Sequence, residues 1–406
     1  MVCVPSMSAN SNRSPATALI INHTKAAVND QTIRCMNALI SGSIFKEQLG
    51  GRLVRFDLFL YTMFKSTVFD SLHFISTLTF RKLANGILVW LSYQLSRFTG
   101  RLIHWGAPLS LSIEPTTACN LGCPECPSGL RSFTRSTGSM KIDLAKQIIY
   151  AQRKQLMYLG FYFQGEPYLN KDLLEMIEYA SSLNVYTGTS TNGHFLTDEL
   201  AKRTVESGLS RLIISVDGPT AASYATYRKG GDFNEVVQGI QRIMAWKKKL
   251  KRRTPYVAIQ CVVFRHNEHE LDEMRKLALQ LHVDALWFKS AQVYDYQNDP
   301  HGLIPEKEQY RRYTMHQEGI RPLNADHTHC WRMWHGNVVT WDGKVVPCCF
   351  DKDAQHQLGD VRDMSMQEIW QGHPYRSFRK QLMKSRKNVN ICANCSEGLC
   401  VRLEKS

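Results

Sequence analysis

Three cysteines, Cys119, Cys123 and Cys126, stand at C-x3-C-x2-C spacing within Glu114-Pro-Thr-Thr-Ala-Cys-Asn-Leu-Gly-Cys-Pro-Glu-Cys-Pro127. Thiolates are the metal-binding form of cysteine, and three on one short loop can converge on one face of an iron–sulfur cluster. Such clusters are typically held by four thiolates, so three leave one iron with an open position. An open iron can bind and activate a ligand, whereas a closed site stores electrons or holds structure.

Far along the chain come six more: Cys330, Cys348, Cys349, Cys392, Cys395 and Cys400. Val338 to Cys348 reads as a hairpin with Asp342-Gly343 at its turn. Two fully cysteine-ligated clusters need four thiolates apiece, more than this region supplies. The economical set is Cys330, Cys348, Cys392 and Cys395 around one cluster, with Cys349 and Cys400 left over. The same spacings also suit a structural zinc ribbon, to which His327 and His329 could add ligands. Cys261 sits in an apolar run and reads as a buried small hydrophobe. Cys3 and Cys35 have no partner at ligand spacing.

The elements that must position these thiols follow from hydrophobic periodicity. Strand patterns fall at 109–113, 159–163, 184–189, 211–216, 256–264 and 285–289. Helix patterns lie between them near 142–157, 171–183, 198–207, 233–250 and 268–282, the last opened by an expected capping box of Asn267 and Glu270. Six alternating β and α units predict an α/β fold, a partial (β/α)6 TIM-type barrel, with reactive loops at the C-terminal strand ends. The cysteine-rich hairpin and helices after it predict a small second domain. The expected boundaries are a disordered 1–50, a helical extension at 51–105, the barrel at 106–315 and the cysteine-rich domain at 316–406. Met63 would also serve as a start, which would make the first residues an upstream extension.

Further motifs fall on the same strand ends: Gln164-Gly165-Glu166-Pro167 after the second strand, Ser190-Thr191-Asn192-Gly193 after the third, and Ser215-Val216-Asp217-Gly218 after the fourth. Glycine there lets the backbone approach a ligand closely, and the carboxylates and hydroxyls can hydrogen-bond an ammonium or a ribose. In order and placement these motifs, with the three-cysteine loop, resemble the radical S-adenosylmethionine (SAM) superfamily. That resemblance implies that Cys119, Cys123 and Cys126 hold a catalytic [4Fe-4S] cluster whose open iron chelates SAM. It further implies that Gly165, Glu166 and Pro167 receive the SAM amino group, that Asn192, Ser215 and Asp217 lie near its ribose and carboxylate, and that Arg228 reaches the carboxylate. Two positions depart from the family pattern: Glu125 replaces an aromatic residue before the third cysteine, and Gln164 replaces a glycine. The C-terminal arrangement resembles the SPASM or shorter twitch extension, which implies an auxiliary [4Fe-4S] cluster at Cys330, Cys348, Cys392 and Cys395. The implied reaction is reductive cleavage of SAM to a 5′-deoxyadenosyl radical that takes hydrogen from a peptide or small-molecule substrate. Lys289, Ser290 and Gln292, after the sixth strand, are expected to line its pocket.

The chain has 406 residues, 43% hydrophobic and 21% charged, with a formal charge of +14. Those proportions suit a soluble globular protein, and the charge suits an acidic electron donor such as flavodoxin or ferredoxin, nucleic acid, or an anionic membrane. Lys247 to Arg253 is the strongest basic run; it reads as a solvated helix end complementing the helix dipole, or as a donor-docking patch. No aromatic base-stacking platform interleaves the basic residues, which argues against nucleic acid. A noncatalytic iron–sulfur or zinc protein docking its basic patch on such a partner is the alternative function. Twelve cysteines grouped at ligand spacings point to a reducing, cytoplasmic compartment, and the N-terminus lacks a signal-peptide pattern. Residues 52–104 are aromatic-rich helix with basic flanks. They read either as helices packed on the barrel or as an interfacial anchor in peripheral contact with a membrane.

Overall fold

The computed structural model describes residues 53–316, 319–323 and 330–395, with backbone alone for 53–62. The expectations for residues 1–50, His327, His329 and Cys400 lie outside these. Residues from Met63 onward cluster into one compact unit, apart from Val4–Thr62.

Two helices, α1 (Leu53–Ser76) and α2 (Phe80–Thr99), precede the barrel. The barrel runs β1 (Ser110–Ile113), α3 (Pro127–Leu130), α4 (Ile142–Gln152), β2 (Tyr158–Phe161), α5 (Leu173–Ser182), β3 (Tyr186–Thr191), α6 (Asp198–Glu206), β4 (Arg211–Ser215), α7 (Ala221–Tyr227), α8 (Phe233–Lys249), β5 (Tyr256–Val263), α9 (Leu271–Gln280) and β6 (Ala285–Ser290). A short hairpin, β7 (Tyr313–His316) and β8 (Gly319–Pro322), follows. The C-terminal part contributes α10 (Arg332–His335), β9 (Gly336–Val339), β10 (Lys344–Val346), β11 (Gly359–Asp360), α11 (Met366–Gln371) and α12 (His373–Lys384).

Strands β1 to β6 pair in chain order, all parallel. Crossover helices cover the sheet, so its strands are buried on both faces: Leu212, Ile213 and Ile214 of β4 and Val257, Ala258 and Ile259 of β5 are fully buried, as continuous apolar runs in parallel sheets are. Helix starts are fixed by side chains. Thr197 accepts from the Leu200 N–H, and Asp232 accepts from the N–H groups of Asn234 and Glu235, satisfying donors that a helix terminus leaves without partners.

Asn267 and Glu270 do not form the expected capping box: Glu270 precedes α9 with no side-chain cap bond. Asn267 instead accepts from the Phe264 N–H at 2.7 Å and donates to the carbonyls of Asp217 and Val262, each at 2.9 Å. Tertiary partners at the β4 and β5 ends outcompete the local cap.

The sheet does not stop at β1. Strand β9 pairs parallel to β1, from Ser110 opposite Gly336 to Ile113 opposite Val339, and β10 and β11 follow antiparallel. The cysteine-bearing hairpin therefore occupies the edge that an incomplete barrel leaves open.

Helix α1 seals the opposite end, where the strands begin. Buried Asp70 pairs with Arg211 and accepts from the Tyr186 hydroxyl. Thr67 meets the Tyr256 hydroxyl at 3.0 Å, His73 meets Ser210 at 3.1 Å, and Met63 packs on a core cluster of Ile213, Tyr256, Ala258, Ala285 and Trp287. Helix α2 runs past the starts of β3 and β1: Lys82 donates to the Asn184 carbonyl at 2.7 Å, and Asn85 exchanges two hydrogen bonds with the Ala107 backbone.

Candidate active site and cysteine centres

The C-terminal end of β1 leads into Glu114, whose buried carboxylate receives both terminal nitrogens of Arg135, at 2.9 and 2.5 Å, and the Trp341 N–H at 3.2 Å. Arg135 also donates to the Lys352 carbonyl at 2.9 Å. One ion pair thus ties β1, the return of the cysteine loop and the C-terminal hairpin together. Burial pushes the Glu114 carboxyl up and Arg135 opposes it.

Between Glu114 and Arg135 lie the three thiols. Cys119, Cys123 and Cys126 are reduced; Cys123 is buried and the other two half-buried. Cys126 immediately precedes α3, and its N–H donates to the Cys123 carbonyl at 3.2 Å; the Leu121 N–H points at the Cys119 sulfur, 3.5 Å away. Burial raises the Cys119 and Cys123 thiols, the latter to about 11; the charge of Cys126 raises both further, and that of Cys119 adds to the rise at Cys123. The three therefore share one small space. Among the described residues no group of three His, Cys, Asp or Glu meets around a single-ion position.

The strand-end motifs are bonded directly to this loop. The Gly165 N–H donates to Ser128 Oγ at 2.8 Å and the Glu166 N–H to the Ala118 carbonyl at 2.7 Å. Gly165 holds φ +72°, and a Cβ there would fall 2.3 Å from the Thr116 carbonyl oxygen. Only glycine fits so close a backbone crossing. Glu166 is buried and its carboxylate accepts three hydrogen bonds, from Tyr168 N–H at 3.2 Å, Thr191 Oγ1 at 2.7 Å and Asn192 N–H at 2.7 Å. It brackets β2 to β3. Burial raises its carboxyl to about 7, against those three hydrogen bonds. Pro167 follows at the first position of a single helical turn.

Asn192 donates to Asn120 Oδ1 at 2.7 Å, and its own Oδ1 accepts from His194. Since His194 Nε2 accepts from the Asp232 N–H at 2.8 Å, its proton is on Nδ1. Asp217 is fully buried: one oxygen accepts from the Val262 N–H at 2.7 Å, the other pairs with Arg228 Nε at 2.6 Å. The pair holds the Arg228 guanidinium beside the thiols, where the fields of Asp217 and then Cys123 support its charge against burial. The Ser215 hydroxyl, opposite Gln260 in the β4–β5 register, has no hydrogen-bond partner among the described residues, and Gln260 Oε1 is buried without one. Glu125 accepts from the Tyr294 N–H at 2.7 Å, and Lys352 lies 4.3 Å from the Tyr294 ring. The acid at position 125 therefore anchors the Tyr294 backbone to the cysteine loop.

The second set also assembles. Cys330, Cys348 and Cys395 are buried and Cys392 is half-buried. Burial raises the Cys348 thiol well above its usual range, and the charges of Cys349, Cys395 and Cys330 add to this. Buried Arg386 feels the charges of Cys395, Cys330 and Cys392. Cys349 packs into an apolar cluster with Phe163, Val338 and Val346. The sequence reading did not single out Glu114, Asn120, Arg135, His194, Lys352 or Arg386. Only Glu114 and Asn120 carried a signal, as polar residues flanking the first cysteine.

The donor sets suit the cofactors that the resemblance implied: two groups of reduced thiols, one of three and one of four, and beside the first an orphaned amide oxygen and a hydroxyl at the strand ends. Known proteins agree. Residues 113–278 match the family model of the radical SAM superfamily, and residues 330–396 match SPASM, an iron–sulfur cluster-binding domain. The tungsten-containing aldehyde ferredoxin oxidoreductase cofactor-modifying protein of Pyrococcus furiosus is 25% identical over 323 residues, 70% of this chain and 86% of that protein. The PqqA peptide cyclase of Methylocella silvestris is 26% identical over 294 residues, 67% of this chain and 76% of its own. The mycofactocin maturase MftC of Mycobacterium tuberculosis is 34% identical over 173 residues, 42% of each chain. In fold, the chain is similar to anSMEcpe with bound AdoMet (TM-score 0.53, 19% identity, 73% of this chain and 93% of that one). It is also similar to SuiB of Streptococcus suis (TM-score 0.52, 12% identity, 72% and 73%).

Proposed function

From a chain that carries a radical SAM domain and, beyond it, an SPASM domain, with SAM, a SAM-binding [4Fe-4S] cluster and auxiliary iron–sulfur as its cofactors, we propose an enzyme that modifies a peptide. When bound and reduced, the SAM-binding cluster supplies cleavage of SAM to methionine and a 5′-deoxyadenosyl radical able to take hydrogen from an unactivated C–H bond. Cys119, Cys123 and Cys126 hold that cluster; Cys330, Cys348, Cys392 and Cys395 hold an auxiliary one.

The observation that carries this reading is the direct bonding of the three-thiol loop to the strand ends. Gly165 to Pro167 run against the backbone of the loop, so carbonyls of that crossing are available to an ammonium group. Asp217 fixes Arg228, which offers a cation to a carboxylate beside the thiols. Ser215 and Gln260 offer a hydroxyl and an amide oxygen to a ribose or to substrate. Glu166, through its bonds to Thr191 and the Asn192 N–H, positions β3 and Asn192. The relatives named for a peptide cyclase and a maturase support a peptide rather than a small molecule. The cavity mouth, with buried Lys289, Ser290 and Arg312, suits polar main-chain groups or a carboxylate of such a substrate. An acidic flavodoxin or ferredoxin is the proposed donor.

The test is anaerobic reconstitution followed by metal analysis and reduction with dithionite in the presence of SAM. About eight irons per chain are expected, with 5′-deoxyadenosine formed by the wild type and not by Cys123→Ala. A fully loaded, reduced sample that forms none would overturn the enzymatic reading. Four irons and one zinc would remove the auxiliary cluster in favour of a zinc ribbon. A peptide substrate is tested by screening candidate peptides for one whose mass changes only with SAM and reductant present.

A further inference from the structure

The two helices ahead of the barrel each leave an apolar stripe open to solvent. On α2 the side facing the barrel is largely polar: Lys82 is 1% exposed and Ser92 is fully buried, alongside Asn85 and Ser96. Each is satisfied by hydrogen bonds, Ser96 for instance with the Ile103 backbone at 2.6 and 2.9 Å. The opposite side of α2 is apolar and open. Phe80 is 87% and Phe98 is 91% exposed, and Leu83, Ile87, Trp90 and Leu91 continue the same stripe at three- and four-residue steps. Helix α1 presents a mixed side to the barrel, Met63 and Phe74 beside Asp70 and Thr67, while Phe64, Val68, Leu72 and Ile75 stand exposed on the other. Scattered exposed apolar residues are ordinary, but two contiguous stripes mark an interaction surface.

Charge says what kind of surface. From Met63 to Trp105 the only acid is Asp70, buried against Arg211. The exposed charges there are cations: Lys65, Arg81, Arg97 and Arg101. A second bank adjoins α1, where Lys65 and Phe69 line a groove of about 780 Å³ with Lys248, Lys251, Arg252 and Arg253. Its one carboxylate, Asp284, is already paired with Lys247. Apolar stripes with Trp and Phe, fringed by cations and free of exposed acids, match the boundary between lipid headgroups and acyl chains.

Position supports the same conclusion. Helices α1 and α2 cover the N-terminal ends of the strands, whereas the thiol loop and Asp217 lie at the C-terminal ends. At about 3.3 Å per residue, the eight residues of β5 alone separate the two ends by roughly 26 Å. A flat surface against the helices leaves the mouth open to water. An electron donor seated on the basic run would instead lie a barrel's length from the thiols it must serve. No described helix is long and apolar enough to cross a membrane, and one-sided stripes suit a helix lying in the interface plane.

We propose that α1 and α2 form a docking floor that seats this protein on an anionic lipid bilayer, with the apolar stripes entering the headgroup boundary and the basic bank meeting the lipid charge. The full chain is floated with vesicles of phosphatidylcholine alone and of phosphatidylcholine mixed with phosphatidylglycerol. Binding to the anionic vesicles is expected, weakened by salt. Lys251→Ala and Arg252→Ala should each lower the partition coefficient roughly fivefold. The triple variant Phe80→Ser, Trp90→Ser, Phe98→Ser should abolish flotation while keeping its thermal transition and its 5′-deoxyadenosine formation, because these exposed side chains support neither. Wild type that stays unbound to anionic vesicles overturns the proposal. So does flotation that survives the triple variant, or a dimer that the triple variant dissolves while vesicles leave the wild type unbound. In that last case a second copy, not lipid, is the occupant.

Discussion

Asp217 shows how much of the site is built from bonds between its own residues. One oxygen accepts from the Val262 N–H and the other holds Arg228, which aims the guanidinium. Asp217→Asn keeps the size and removes the charge that restrains Arg228. Positioning residues of this kind cost 10–100-fold when lost, as a rough guide. The expected result is a rise in KM for SAM or a fall in 5′-deoxyadenosine formation of about that size, with iron content unchanged; lost iron would instead mean a structural role. Stability should drop by roughly 3 kcal/mol, since the arginine is left in a largely buried place without its partner. Glu166 gives a pH signature. Its folded carboxyl is raised to about 7 by burial, so between the unfolded value and 7 the native state holds the extra proton. Stability from this group is full at low pH and is lost as pH rises through 7. Glu166→Gln cannot titrate, so its melting temperature should vary less than that of wild type across this interval. Equal slopes would show that Glu166 is ionised throughout.

At the scale of elements, the parallel barrel was legible because apolar runs and helical periodicity alternate without interruption. The six strands fall within two residues of their expected bounds at every end. The strand-end motifs were legible because Gly, Pro, Asn and Asp punctuate those ends. What sequence could not show was how the ends bond. Glu166 ties β2 to β3, because its partners Thr191 and Asn192 come from the next strand, and no local pattern reveals such a pairing. Asn267 looked like a cap and is drawn off by the Asp217 and Val262 carbonyls, for the same reason. The polar inner side of α2 is likewise set by backbone groups of the barrel, which no local pattern reveals. The tightest of these crossings is Gly165. Gly165→Ala puts a Cβ into the Thr116 carbonyl at a left-handed φ, a strain of roughly 1–3 kcal/mol before any clash. We expect a chain that folds with a loosened cysteine loop: lower iron retention after gel filtration and a fall in 5′-deoxyadenosine larger than the fall in melting temperature alone would give. Unchanged iron and turnover would show that the loop accommodates the methyl group by shifting.

For the whole molecule, the decisive contact is the one between β1 and β9. A domain boundary was expected near residue 316, and both family models stop short of one another across that region. Yet β9 supplies the hydrogen-bonding partner for the outer edge of β1, the Trp341 N–H completes the Glu114–Arg135 bracket, and Phe163 packs with Val338, Val346 and Cys349. The barrel without the C-terminal part would expose a parallel-strand edge, which invites pairing with other chains, and would leave one acceptor of buried Glu114 unmet. A chain ending at Leu323 should therefore be recovered as oligomer or aggregate and lack a sharp unfolding transition. The auxiliary ligands are a separate matter from this packing. Full-length Cys392→Ser, Cys395→Ser should lose about half its iron and still unfold in one transition, because those cysteines lie outside the shared sheet. A soluble, monomeric and cooperatively unfolding truncation would show that the barrel closes without the hairpin. Collapse of the double variant would show instead that the auxiliary cluster, rather than the β1–β9 pairing, holds the two parts together.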